Sequence, residues 1–203
     1  TSGFLKMANV RYALLGCQVF CFISAVALAQ SGKAGAPIAP LSQGELVDGK
    51  KVGTWTYYYK DGHISAIEHF TDGRLHGTVE YFYPGGEKQG IEQWRDGIIG
   101  DSATYWHKNG VVEKKGMYSY GQYAGEWKHF YDNGKPERIV SYSGGLPEGA
   151  TKAFYANGLL WQEGYYKHGS EDGEWKFYAE TGELEYIGIY RNGKEIRMKR
   201  VRK

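Results

Sequence analysis

The chain has 203 residues, with 30 glycines, 18 tyrosines, only 5 prolines and an aromatic content of 16%. That much aromatic side chain excludes an intrinsically disordered polymer, and that much glycine excludes long helices, where each interior glycine costs about 1 kcal/mol relative to alanine. The formal charge of +2 is carried by Lys6 and Arg11 near the start, while the Lys194–Lys203 tail carries +5 and leaves the stretch between at about −5, so no nucleic-acid partner is expected.

Thr1 to Lys6 precede the first methionine, Met7, which is taken as the true start. From there the pattern is that of a signal peptide over residues 1–29. Arg11 gives a positive start, Tyr12 to Val26 an apolar stretch, and Ala27-Leu28-Ala29 a small-x-small cleavage site. An uncleaved anchor fits the same apolar run, and Leu14-Leu15-Gly16-Cys17 offers a short form of a lipoprotein box. All three readings predict an exported protein, periplasmic, extracellular or attached to the envelope. Cys17 and Cys21 both lie in this segment, so a processed chain carries no thiol for a disulfide, a metal or a nucleophile. Residues 30–43 read as a flexible linker.

From Gly44 to Lys203 one period governs everything. Gly49, Gly73, Gly97, Gly121, Gly145, Gly169 and Gly193 stand 24 residues apart at every step, and Gly62, Gly86, Gly110, Gly134, Gly158 and Gly182 keep the same spacing. A third set, Gly53, Gly77, Gly125, Gly149 and Gly173, misses only at Asp101, with Gly100 one place early. Two aromatic columns follow suit: Tyr58, Phe82, Trp106, Phe130, Phe154, Tyr178, and Phe70, Trp94, Tyr118, Tyr142, Tyr166, Tyr190. Such a repeat predicts one supersecondary unit stacked on copies of itself. Asp61-Gly62, Asn109-Gly110, Asn133-Gly134 and Asn157-Gly158 are hairpin signals, because both residue types tolerate positive φ. Short first strands such as Thr54–Tyr59 and Glu126–Tyr131 are expected, with second strands from about Ile64 to Phe70. Asp72-Gly73 and its equivalents then turn the chain into the next unit. The expected fold is all-β, an antiparallel meander of about six hairpins plus a basic C-terminal capping strand. A two-residue and a bulged three-residue tip turn would pair the strands differently, so the register stays open by one residue.

The units GTWTYYYKDG, GEWKHFYDNG and GEWKFYAETG, each followed by Phe or Tyr eight residues after the final Gly, resemble the bacterial variant of the MORN repeat. The resemblance covers Gly44 to Lys203 and implies an elongated, twisted single-sheet solenoid. Unit three departs from it, with Asp101 for Gly, Ala103 for Trp and His107 for Tyr, and a kink or weak point is expected there. Relatives of the YwqK-like branch carry an antitoxin label, which implies a protein partner; other MORN proteins are scaffolds or contact membrane lipids. GTWTYYYKDG also resembles the choline- and glucan-binding repeats of cell-wall proteins, which implies a glycan ligand. Those units are shorter and richer in paired Trp, so the strict period and the Glu-rich second strands sit better with the MORN type.

No catalytic pattern emerges. His63, His69, His76, His107, His129 and His168 fall at six different phases of the repeat, so no histidine ladder can form, and no metal or cofactor is expected. Glu126, Glu137, Glu163, Glu174, Glu183 and Glu185 are scattered, without the fixed separation a carboxylate pair needs. The aromatics are the one candidate binding surface: Trp55, Trp127 and Trp175 in one column, with Tyr57, Tyr59, Tyr131 and Tyr155 nearby. They read structurally as cross-strand packing and functionally as an exposed patch for a sugar or a protein, since a lone sheet cannot bury both faces. Lys194–Lys203 likewise reads as a protective edge or as a holder of an anionic membrane surface. The expected function is therefore a non-catalytic scaffold for a protein or an envelope component.

Overall fold

The computed structural model describes residues 41–201. The expected signal peptide, the linker up to residue 40, and Arg202 and Lys203 lie outside the described residues. The described chain is a run of strands: β1 (Ser42–Val47), β2 (Lys50–Tyr58), β3 (Ile64–Thr71), β4 (Arg74–Leu75), β5 (Gly77–Phe82), β6 (Lys88–Arg95), β7 (Ile98–Ile99) and β8 (Asp101–Trp106). It continues through β9 (Val112–Ser119), β10 (Gln122–Phe130), β11 (Pro136–Ser143), β12 (Leu146–Phe154), β13 (Leu160–Lys167), β14 (Ser170–Tyr178), β15 (Leu184–Arg191) and β16 (Lys194–Arg200). All belong to one open antiparallel sheet in which sequence neighbours are spatial neighbours; the two-residue pieces β4 and β7 continue the ladders of β3 and β6. The first strand begins at Ser42, two residues before the boundary expected from the repeat.

Two kinds of turn alternate, and they settle the register. Between units, pairs such as Asp72-Gly73 take positive φ at both residues, 50° and 80°, which is the two-residue type I′ turn whose twist suits flanking strands. At the hairpin tips, the Tyr59 N–H bonds to the His63 carbonyl at 2.8 Å and the Gly62 N–H to the Tyr59 carbonyl at 3.0 Å. That is a three-residue loop closed by a glycine at positive φ, so the bulged alternative is the one adopted. The role expected of Asp and Asn at the tips needs correction. They do not take positive φ; their side chains instead accept the backbone N–H two residues on, as from His63 to Asp61 at 3.1 Å and from Leu159 to Asn157 at 2.8 Å.

The first strands β2, β10, β12 and β14 are longer than expected, because each runs back through a bulge; β5 and β8 have the expected length, with β4 and β7 split off before them. On β10, Ala124 pairs with Met117 and Lys128 with Lys115, leaving an extra stretch around Gly125. Gly125 has φ 63°, and Asp101, the residue that replaces this glycine in unit three, has φ 68°. The aspartate thus accepts the glycine conformation, and β8 pairs with β9 from Asp101 to Trp106. The β8–β9 ladder is therefore continuous at the expected weak point, while towards β6 the strand is split at Gly100 into β7 and β8, as unit two is split at His76 into β4 and β5.

Strand alternation sends one row of residues across the middle of one face: Gly44, Trp55, Glu68, Val79, Glu92, Ala103, Gly116, Trp127, Val140, Thr151, Gly164, Trp175 and Gly188. The pairings Trp55↔Glu68, Val79↔Glu92, Ala103↔Gly116, Trp127↔Val140, Thr151↔Gly164 and Trp175↔Gly188 define it. Large residues lie over small ones along this row. A Cβ on Gly44, Gly116 or Gly164 would overlap the indole of Trp55, Trp127 or Trp175 respectively. Where the tryptophan is replaced by Val79 or Thr151, the residue at the glycine position is Glu68 or Val140. This interdigitation is how a sheet one layer thick buries a core, including Trp55, Val79, Ala103, Tyr118, Trp127, Val140 and Trp175.

Candidate functional site

The residues singled out as a binding surface divide into three groups. Trp55, Trp127 and Trp175 are buried, Trp127 completely. Trp127 meets Tyr123 at 4.2 Å and Tyr118 edge-on at 5.1 Å between ring centroids, and its Nε1 donates to the Met117 carbonyl at 2.9 Å. Trp55 makes the same bond to Glu45 at 3.1 Å. The indoles therefore hold strands together and offer no open face for stacking.

Tyr59, Tyr131 and Tyr155 form a second group, of latches. Each hydroxyl donates to a carbonyl of the following unit: Tyr59 to Phe82 at 2.7 Å, Tyr131 to Phe154 at 2.6 Å, Tyr155 to Tyr178 at 2.8 Å. Tyr83 does likewise to Trp106 at 2.9 Å, and His107 Nε2 reaches the Phe130 carbonyl at 2.8 Å. A carbonyl only accepts, so the His107 ring carries its proton on Nε2. The departure from tyrosine in unit three keeps the bond.

Tyr57 stands apart from both groups. Its hydroxyl receives Lys51 Nζ at 2.6 Å, and the same ammonium lies 4.5 Å from the Trp55 ring centroid and 5.0 Å from that of Phe70. Lys51 fills a small aromatic enclosure beside Glu68 from within the chain. Burial raises the pKa of Glu68, and the neighbouring Glu92 adds to that, while Tyr57 and Lys51 oppose it. Burial, reinforced by Glu68, likewise holds the Tyr57 phenol well above its usual range.

The middle of the same face contains a network that reading the acids one by one did not reveal. Glu92 is 8% exposed, and its carboxylate accepts from Tyr81 at 3.1 Å, Trp94 Nε1 at 2.9 Å and Tyr105 at 2.5 Å. Tyr105 and Tyr118 share a further hydrogen bond at 3.3 Å. Burial first, and then the Glu92 charge, push the Tyr81 and Tyr105 phenols far up, so both remain neutral donors. The available sequence signal was positional: Glu68 and Glu92 occupy the column that holds Gly44, Gly116 and Gly164.

His129 lies on this face next to Trp127, with ring centroids 6.4 Å apart. It is buried and its Nε2 has no partner. Burial, with Arg138 and Lys114 nearby, lowers its pKa to about 3. A folded pKa below the unfolded value of 6.5 means that the stability is complete above 6.5 and is lost as pH falls towards 3. By pH 5 the loss from this one group is about 2 kcal/mol. Urea unfolding of the wild type and of His129→Phe, compared at neutral pH and pH 5, should show that much less acid sensitivity in the variant. Equal sensitivity would remove the assignment.

Of the other histidines, His63, His76 and His168 sit beside Asp61, Asp96 and Glu148 at exposed positions. His69 Nδ1 bonds to the Thr78 carbonyl at 2.7 Å. Among the described residues no three His, Cys, Asp or Glu side chains gather as metal ligands.

The opposite face is the accessible one. The aromatic column Tyr58, Phe82, Trp106, Phe130, Phe154 and Tyr178 is half-buried along it, one ring per unit. Charged pairs lie between the rings: Lys128 with Glu126 at 3.1 Å, Lys176 with Glu174 at 3.7 Å, Lys152 with Glu163 at 3.8 Å. Lys115 reaches over Phe130 at 5.9 Å, and Tyr178 donates to Glu163 at 2.8 Å. A shallow open groove includes Ser102, Thr104, Lys115, Met117, Glu126 and Lys128. Rings repeated at each hairpin, with ion pairs of both charge signs between several of them, can grip an extended surface.

The model of the MORN repeat variant matches residues 51–72, 124–143, 147–168 and 171–192, each taking in a first strand, a tip turn and a second strand. These four stretches match the MORN repeat variant over 86 of the 203 residues. The same hairpin order continues through β5 to β9, between the matched stretches, where Val79 and Ala103 stand in place of the tryptophan. No curated protein matches the chain. MORN repeats in general are protein- or membrane-binding modules and are generally non-catalytic.

Proposed function

We propose that this chain is an exported, non-catalytic scaffold that holds a protein of the cell envelope against the face bearing Tyr58, Phe82, Trp106, Phe130, Phe154 and Tyr178. The observation that supports this reading is the division of labour between the two faces. One face uses its tryptophans, tyrosines and Glu92 on each other. The other presents one half-buried ring per hairpin, with ion pairs Lys88–Glu80, Lys128–Glu126, Lys152–Glu163 and Lys176–Glu174 between them. Interfaces draw most of their energy from a few such aromatic anchors. An antitoxin role is the form of this reading in which the partner is an exported toxin. Export itself rests on the pattern from Met7 to Ala29.

The test uses two measurements. Cell fractionation should find the chain outside the cytoplasm; a cytoplasmic pool would remove the export. Photo-crosslinking from Lys128, with the captured protein then purified and titrated, should give a complex at least tenfold weaker in Trp106→Ala and Phe130→Ala. Affinity unchanged by both would defeat the proposal. Binding transferred to a glycan array or to anionic vesicles, with no protein captured, would replace the partner by a sugar or by a membrane held through Lys194–Lys203.

A further inference from the structure

The two ends of the described sheet are of opposite type. β1 carries Gly44 at the row position held by Glu68, Gly116 and Gly164 on β3, β9 and β13, so it is a second strand whose first strand is not among the described residues. β16 follows the Asn192-Gly193 turn and is a first strand with no second strand among them. Inside the sheet, every first strand meets a second strand across this kind of edge, as in Trp127↔Val140 and Trp175↔Gly188.

The ending has one departure from the repeat. Arg197 stands where Gly53, Gly125 and Gly173 take positive φ, and it does not take it. The bulge on β16 is therefore shorter: Tyr190 pairs with Glu195, Ile189 with Arg197 and Gly188 with Met198. Met198 thereby moves into the row, where a Cβ on Gly188 would meet its Cε at 3.2 Å. With Met198 in that place, the array rule puts a β1 residue of row type opposite it, which is Gly44.

We infer that β16 of one copy adds onto β1 of the next, head to tail, and continues the repeat from chain to chain. The antiparallel ladder follows from the Met198–Gly44 pairing. It sets Ile196 against Leu46, Arg197 against Glu45, Lys199 against Gln43 and Arg200 against Ser42. Ile196 and Leu46 are exposed at 56% and 59%, and Met198 at 36%. Arg197 meets an opposite charge and Met198 lies over a glycine, the large-over-small arrangement of the interior. Two β16 edges would instead oppose Arg197, Lys199 and Arg200 to one another, so the basic strand rejects its own kind while accepting β1. Strand addition supplies main-chain hydrogen bonds, and a heterologous contact of this kind builds a ring or an open filament of more than two chains. This association is independent of what the sheet face binds.

Sedimentation of the full chain from low micromolar to several hundred micromolar tests it. The wild type should grow with concentration past two chain masses. Glu45→Arg and Arg197→Glu, both at exposed positions, should each remain at one chain mass. Mixed together, these two variants should grow again in alternation, because the unaltered β16 of the first meets the unaltered β1 of the second and the two reversed positions also oppose each other with opposite charges. The double reversal in one chain should grow again. A wild type at one mass throughout, growth that survives both single reversals, or a mixture that stays at one chain mass would each overturn the inference.

Discussion

Trp127→Ala is expected to destabilise the sheet by about 3–5 kcal/mol, the range for an aromatic removed from a core that cannot collapse. The indole is fully buried, packs on Tyr118 and Tyr123, and gives its N–H to Met117. A single layer has no second layer to move into the space. Gly116→Ala should also be costly, by about 1–3 kcal/mol, since the new methyl would overlap the same indole. Gly116 is not among the positive-φ glycines, so backbone strain adds nothing. The two costs share one cause, and in the Trp127→Ala background Gly116→Ala should become neutral or mildly stabilising. Urea unfolding of the four proteins gives this cycle. Additive costs would show that the tryptophan does not depend on the glycine beneath it.

Glu92→Ala should cost about 3 kcal/mol or more, because Tyr81, Trp94 and Tyr105 would lose a charged acceptor in a buried place. Glu92→Gln keeps the shape and should cost less, about 1–2 kcal/mol, since one amide oxygen remains to accept. A second reading of the same variant checks the electrostatics. Tyr81 and Tyr105 have folded pKa values raised above the ordinary 10.0, by burial first and by Glu92 second. Their contribution to stability is complete below pH 10 and is lost as pH rises beyond it. Removing the Glu92 charge should soften that alkaline loss while leaving the burial part. Unfolding measured on either side of pH 10 reads the difference. An alkaline limb unchanged in Glu92→Gln would place the carboxylate outside the tyrosines' electrostatics.

Much of this was written locally. A type I′ turn needs two residues at positive φ in succession, and a bulge or tip needs one, so glycine columns at 24-residue intervals betray the turns directly. Strands of mixed aromatic and charged residues between such turns have few alternatives to hairpins. Asn133 and Asn157 were legible as tip residues, but not their mechanism, since side-chain acceptance and positive φ leave the same trace in sequence. His107 looked like a defect because its ring bears little resemblance to tyrosine. Only the position of the Phe130 carbonyl reveals that both supply one N–H or O–H at the same point.

The sequence by itself determined the period, the turns, the all-β class and the order of the hairpins, because these depend on backbone conformations that particular residues permit. The tertiary structure decided which aromatics are interior. Alternation separates Trp127 from Phe130, but it does not say which of the two rows is the crowded one; the first is fully buried and the second half-buried on the other side. The structure also decided that Glu68 and Glu92 belong with the tyrosines and that Gly116 carries Trp127. Those partners come from neighbouring strands, and only the register between strands brings them together.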